Sequence, residues 1–182
     1  MKVKELMIPV DQYVTVHKDA TLLDVFLALD ADLKGKGQNG HAHRDVLVLD
    51  DNGELLGKVT MIDIFQSLEP NYRRITDGKV EHEVLTSEYV ASIFREFDLW
   101  SDSLPNLCTS GKESSVLEVM HTPLEGEFVS EDDDLERAIH RYMVGVHQPL
   151  LVRDNNGKVS GVLRFGDVFE KIRACMLGCA TR

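Results

Sequence analysis

Cysteine is scarce: the chain has only Cys108, Cys175 and Cys179 in 182 residues, too few and odd in number for a disulfide framework. Long apolar runs are missing as well, and none approaches the roughly 18–20 residues that a membrane span needs. The opening Met1-Lys2-Val3-Lys4-Glu5 leads into an alternating segment instead of the apolar stretch of a signal peptide. Together these absences point to the cytoplasm and away from a membrane. Positive charge is in short supply too, with 20 Lys and Arg against 31 Asp and Glu and a net charge of −11. Such a field repels polyanions and disfavours nonspecific nucleic-acid or anionic-membrane binding. It leaves room for a small phosphorylated ligand held by a few local donors. No Gly-x-Ser-x-Gly or His-Glu-x-x-His motif is present, and no cysteine has a catalytic context. The chain therefore reads as non-enzymatic.

What is present is an internal repeat. Met7 and Met120, Val16 and Val129, and Leu22 and Leu135 each stand 113 residues apart. Gly53 and Gly157, Gly57 and Gly161, Asp63 and Asp167, and Phe65 and Phe169 each stand 104 apart. The first copy thus carries nine extra residues between Leu22 and Gly53. The glycine-rich Lys34-Gly35-Lys36-Gly37-Gln38-Asn39-Gly40 is the natural place for them.

Each copy opens with a short helical turn, Val3-x-x-Leu6-Met7 or Val116-x-x-Val119-Met120. An extended segment follows at Tyr13–Val16 or Glu127–Val129. A helix comes next, with Leu22, Val25, Phe26 and Leu29 or Leu135, Ala138, Ile139 and Tyr142 at helical spacing. Thr21 and Asp134 stand before these helices as N-cap candidates. Then a hairpin is predicted: Val46–Leu49 turns through Asn52-Gly53 into Leu55–Val59, and Leu150–Val152 turns through Asn156-Gly157 into Val159–Leu163. A final helix starts near Ile62 or Gly166. Neither copy can cover both faces of its own sheet, so the two are expected to pack together. The expected fold is α/β (α+β), two pseudo-twofold-related β-α-β-β-α units with a helical connecting segment. Unit 1 spans 1–69, the connection 70–115, and unit 2 with a C-terminal tail 116–182.

At these residues the chain resembles the cystathionine-β-synthase (CBS) domain pair, or Bateman module, of the stand-alone bacterial type. The resemblance rests on Leu6-Met7-Ile8-Pro9, Asp19-Ala20-Thr21-Leu22 and Gly57-Lys58-Val59-Thr60-Met61-Ile62-Asp63 in the first copy. In the second it rests on Val119-Met120, Asp134-Leu135, Pro149-Leu150-Leu151-Val152 and Gly161-Val162-Leu163-Arg164-Phe165-Gly166-Asp167. It implies a pseudo-twofold pair of units, assembled further into a homodimer. It also implies a cleft that takes AMP, ADP, ATP or S-adenosylmethionine and regulates a partner protein of unknown identity. No obligatory cofactor is implied.

Gly57-x-x-Thr60-x-x-Asp63 fits the family's ligand motif, with Asp63 placed to accept from ribose hydroxyls and Thr60 to meet phosphate. The same spacing also suits a helix capping box. In the second copy Arg164 replaces the threonine while Asp167 remains. His43-Arg44 resembles a phosphate-reaching His-Arg pair of some nucleotide-sensing relatives, set one residue further out from Gly53. The second copy has His147-Gln148 there, and Arg164 is the alternative cation. His41-x-His43 with Asp45 has metal-ligand types, although short His pairs in loops are more often incidental.

Residues 70–115 lie outside the resemblance. Val84, Leu85, Tyr89, Val90, Ile93, Phe94, Phe97, Leu99 and Trp100 form an apolar stripe, read either as a connecting helix folded on the module or as a partner surface anchored by Phe97 and Trp100. Two functional classes follow: a ligand-responsive sensor acting on a separate protein, and a ligand-free interaction or scaffold module that keeps the fold.

Overall fold

The structure, a computed structural model, describes residues 1–36, 42–69, 71–72 and 86–180, with side chains of the last helix described to residue 178. A 3-10 turn at Val3–Glu5 is followed by β1 (Ile8–Pro9), β2 (Thr15–His17), α1 (Leu22–Lys36), β3 (Val46–Leu49), β4 (Leu55–Val59) and α2 (Met61–Leu68). The connection holds α3 (Ser87–Glu96) and α4 (Leu104–Gly111). The second copy follows as α5 (Val116–Val119), β5 (Phe128–Ser130), α6 (Leu135–Met143), β6 (Leu150–Arg153), β7 (Val159–Leu163) and α7 (Phe165–Ala180).

The two copies have matching topology. β2 runs parallel to β3 and β3 antiparallel to β4, as β5 does to β6 and β6 to β7. Gly53 and Gly157 turn the hairpins with φ of 75° and 82°, the region only glycine enters without cost. Asp50 and Asp154 close these turns, each accepting through Oδ1 from two backbone amides beyond it. Thr21 caps α1 as expected, its Oγ1 accepting from Asp24 N at 3.3 Å. Asp134 stands at the N-cap of α6 but makes no capping bond; its carboxylate pairs with Lys2 Nζ at 2.9 Å instead.

The central strands are buried on both faces, which is why they read as unbroken apolar runs. Val46 and Val48 face the first unit's own core, and Leu150 and Val152 face the second's. The residues between them, Leu47 and Leu151, meet across the module in a shared cluster with Tyr13 and Val162.

The opening turns do not pack on their own copies. Val3 lies in the core of the second unit with Val129, Leu135 and Leu163, while Val116 and Val119 lie in the core of the first with Leu22, Val25 and Val59. The exchange is reciprocal in the backbone: Val3 N donates to Asp133 O at 3.0 Å and Val116 N to Ala20 O at 2.9 Å. β1 then joins the second sheet beside β7, and His121 makes the equivalent bridge to Lys58 in β4. A Cβ on Gly161 would come within 2.9 Å of Ile8 O, and one on Gly57 within 2.7 Å of His121 O. The Met7 and Met120 side chains lie as close to those same glycines. Both pairs of repeat-marking residues are therefore contacts of the exchange.

The connection folds onto the module both through Trp100 and through its end, where Leu23 N donates to Lys112 O and Leu22 N to Ser114 O. Trp100 N donates to Glu69 Oε2 at 2.7 Å, its indole Nε1 donates to Tyr72 OH at 3.0 Å, and Leu99 is buried. Phe97 is half-buried, and Val90 and Phe94 are the exposed part of the stripe. Val84 and Leu85 lie outside the described residues.

Gly57→Ala and Gly161→Ala should each lower the unfolding free energy by about 1–3 kcal/mol, because a methyl there overpacks against backbone. Gly35→Ala, in α1 with nothing within 4 Å, should stabilise by up to ~1 kcal/mol. Urea melts of the three variants check the contrast.

Candidate functional site

A cleft of about 980 Å³ opens between the two units. Its walls are the starts of the two closing helices, Thr60–Ile62 at α2 and Arg164–Asp167 with Phe169 and Glu170 at α7, with Arg44, Asp45 and His147–Pro149 between them. Each of these helices follows directly on the second strand of its hairpin, β4 or β7. The volume suits a small-molecule ligand.

On the first unit's side, Thr60 and Asp63 form a reciprocal cap. Asp63 Oδ2 accepts from Thr60 N at 2.8 Å and Thr60 Oγ1 at 2.6 Å, and Thr60 Oγ1 lies 3.5 Å from Asp63 N. Oδ1 remains and lies 3.3 Å from His147 Nε2. Burial pushes the Asp63 carboxyl up, but the bonds from His147 and Thr60 outweigh it and hold the group below its ordinary value.

On the second unit's side, the substitution of arginine for threonine changes the chemistry. Arg164 forks onto Asp167, with Nε at 2.7 Å from Oδ2 and one terminal nitrogen at 2.8 Å from Oδ1. The guanidinium read as a phosphate cation is thus engaged by its own helix's carboxylate in this structure.

His43 and Arg44 part company. Arg44 is exposed on the cleft wall and has no ion pair among the described residues. His43 turns inward, 4% exposed, where its Nδ1 lies 3.1 Å from Asp32 Oδ2 and its ring packs on Tyr13. The partly buried Asp32 carboxylate of α1 offers the imidazole a partner that the cleft does not. Asp45 lines the cleft and accepts from the Tyr13 hydroxyl, and burial raises both groups above their ordinary values. The sequence-level metal candidate His41-x-His43-Asp45 is not assembled: His43 and Asp45 are engaged elsewhere, and His41 lies outside the described residues. Cys108 and Cys175 are exposed thiols.

Sequence reasoning missed a buried polar network beside the cleft. Lys58 is fully buried, and its Nζ donates to His147 O and Pro149 O, both at 2.7 Å, and pairs with Glu127 Oε2 at 2.7 Å. Glu127 Oε1 in turn holds His121 Nε2 at 2.7 Å, and the His121 and His147 rings stack 4.1 Å apart. Burial is the strongest influence on Lys58 and lowers its amine below the ordinary value. Glu127 also sits below its ordinary value, because bonds from Lys58 and His121 outweigh the upward push of burial. One signal was available: Lys58 stands where the other copy has Val162, inside an otherwise apolar strand.

The family profile described as CBS domain matches residues 3–70 and 116–174. Among curated proteins none matches the sequence significantly. A hypothetical conserved protein (GK1048) from Geobacillus kaustophilus is similar in structure, with TM-score 0.58, 18% identity, and 96% of this chain and 97% of that one covered. CBSX2 in complex with AMP aligns with TM-score 0.56 and 21% identity over 97% of this chain and 96% of that one. The CBS domain of a bacterial CNNM/CorC family Mg2+ transporter in complex with ATP aligns with TM-score 0.53 and 19% identity over 94% and 87%. The chain spans 59% of the length of another similar structure, protein MJ1004 from Methanocaldococcus jannaschii. At these identities the likeness is one of fold. No helix among the described residues is long and apolar enough to cross a membrane.

Lys58→Ala should cost about 3–5 kcal/mol, since it strands the Glu127 carboxylate in the interior. Lys58→Met combined with Glu127→Gln should recover most of that loss. With its folded pKa below the ordinary 4.5, Glu127 stabilises the fold above that pH, and the contribution is lost as pH falls through the lower folded value. Glu127→Gln should therefore show a shallower acid limb in chemical-denaturation curves taken across pH 3–7.

Proposed function

The chain is a member of the CBS domain family, and we propose that it is a non-enzymatic regulatory module that takes an adenine nucleotide between its two units. Occupancy of the cleft is read by a partner protein. CBS domain pairs generally act as regulatory, non-catalytic modules, and the AMP and ATP complexes of the structural neighbours support this reading. The observation that carries it is the meeting of two helix starts in one cleft, one of them bearing Gly57-x-x-Thr60-x-x-Asp63. Asp63 Oδ1 would accept from the ribose in place of His147, Thr60 and the amides of α2 would face phosphate, and Arg44 would supply the cation. Asp167 and Arg164 would serve the second half of the cleft once their mutual fork opens. His43 is turned from the cleft toward Asp32 and Tyr13.

A specific observation favours a second reading, a ligand-free interaction module. Asp63 and Asp167 both already have internal partners, as purely structural residues would. Thermal shift and calorimetry with AMP, ADP, ATP and S-adenosylmethionine separate the readings. We expect one adenine nucleotide to raise the melting temperature and Asp63→Ala to weaken its binding by roughly tenfold to a hundredfold. No stabilisation by any of the four would establish the scaffold reading.

The module is further proposed to work as a homodimer. Phe97 and Trp100 are partly covered, whereas α1, α2 and α7 expose Phe26, Phe65 and Phe169, with Leu27, Ile62 and Met176 nearby in sequence. Large apolar groups in this number mark an interface. Light scattering should give a dimer that Phe65→Asp or Phe169→Asp dissociates and Phe97→Asp does not. A monomer at every concentration would end the claim.

A further inference from the structure

We propose that Asp63, His121 and His147 form a divalent transition-metal site of zinc type, which shares only Asp63 with the residues assigned to nucleotide. Three separate elements bring the donors together. Asp63 lies in the first turn of α2, His121 on the exchanged segment after α5, and His147 on the approach to β6. One donor atom from each lies within 4.8 Å of the other two. Asp63 Oδ1 and His147 Nε2 are 3.3 Å apart. That matches the edge of about 3.3–3.5 Å expected of a tetrahedral zinc with Zn–N and Zn–O near 2.0–2.2 Å.

The supporting shell is built. Asp63 is fixed by Thr60 through Oδ2, which leaves Oδ1 for a cation. His121 is held at Nε2 by Glu127, the carboxylate–histidine arrangement that orients metal-binding imidazoles. Its backbone is locked to Lys58 in both directions, at 3.0 and 2.8 Å. The Lys58 ammonium is not directed at the donors, since Glu127 and two carbonyls take it up. Two carboxylates against one lysine leave the neighbourhood net negative with neutral imidazoles. Two nitrogens and one oxygen suit zinc or cobalt(II) and not magnesium.

The two rings are stacked nearly parallel, at 8°, so their lone pairs do not yet converge. Coordination requires one imidazole to tilt out of the stack. His147 is the ring held by less: its Nδ1 is buried without a hydrogen-bond partner among the described residues. A tilt of that ring keeps Nε2 beside Asp63 and opens the space between the rings.

Cobalt(II) titration of the untagged, EDTA-stripped, nucleotide-free chain tests the site. The expected result is one equivalent with the visible d–d bands of a tetrahedral N/O site, displaced by one equivalent of zinc. His121→Ala and His147→Gln should each weaken binding by about 100-fold or more, at or beyond the upper range for disturbing such a site. Circular-dichroism melts confirm folding, and two variants on different elements guard against one failing to fold. His121 is outside the residues assigned to nucleotide, so His121→Ala should leave any nucleotide-dependent thermal shift in place. A failed nucleotide screen leaves the metal titration standing. The proposal is overturned by no saturable cobalt binding, by bands that survive both variants, or by a sulfur-to-cobalt charge-transfer band placing the ion on the cysteines.

Discussion

Each hydrophobic core of this chain is closed by a segment from the other copy, and the rest of the structure depends on that exchange. Val3 and Val116 are fully buried in the opposite unit, and burying a side chain of this size is worth about 1.5–3 kcal/mol. Backbone bonds then tie Met1 O to Leu135 N and Ser114 O to Leu22 N, so each opening turn also steadies the first turn of the other unit's helix. The units cannot part without opening both cores. The cleft walls are thereby fixed relative to one another, which is what a site shared by two units requires. Gly57 and Gly161 are the sequence condition for this, because only a missing side chain lets the crossing backbone approach its strand.

The two crossings are equivalent in topology and opposite in chemistry. At one, Ile8 meets Val162 beside Tyr13 and Leu151, an apolar contact. At the other, Lys58 meets His121 and Glu127 in a buried charged network. A buried ion pair of this kind is weak evidence for stability, since well-packed apolar groups often do as well. Its effect on pairing is clearer. In the repeat, Ile8 and Val14 correspond to His121 and Glu127. A homotypic pairing of two first units would therefore set Lys58 against apolar residues and bury an ammonium with no carboxylate. The network penalises that mispairing and favours the two halves of one chain for each other.

The architecture was legible because it is periodic. Asn52-Gly53 and Asn156-Gly157 named the hairpins, the strands showed their burial, and two offsets located the repeat. The exchange was not legible: Met7 pairing with Gly161 and Met120 with Gly57 leaves the same pattern in a sequence as two turns folding back on their own copies. At the site, Thr60-x-x-Asp63 gave both of its meanings, cap and ligand, and the structure realises the cap. His43 was misdirected because its partner, Asp32, lies on a helix whose inward face only the folded chain defines. The Lys58 network joins residues 58, 121, 127 and 147, separations that no local pattern records.

The asymmetry reaches the cleft. On the first unit's side, freeing Asp63 Oδ1 requires only that His147 move, because the cap is carried by Oδ2 and survives. On the second side, Asp167 spends both oxygens on Arg164, so opening the fork exposes two opposite charges at once. A ligand that offers hydroxyls alone would leave the guanidinium uncompensated, and one that offers only an anion would leave the carboxylate so. A molecule presenting hydroxyls and phosphate together, as a nucleotide does, satisfies both and can replace the fork without stranding either charge. Under the proposed nucleotide reading the second half of the cleft would be the more selective and the first the easier to fill, an ordering that follows from arginine standing at 164 where the first copy has threonine at 60.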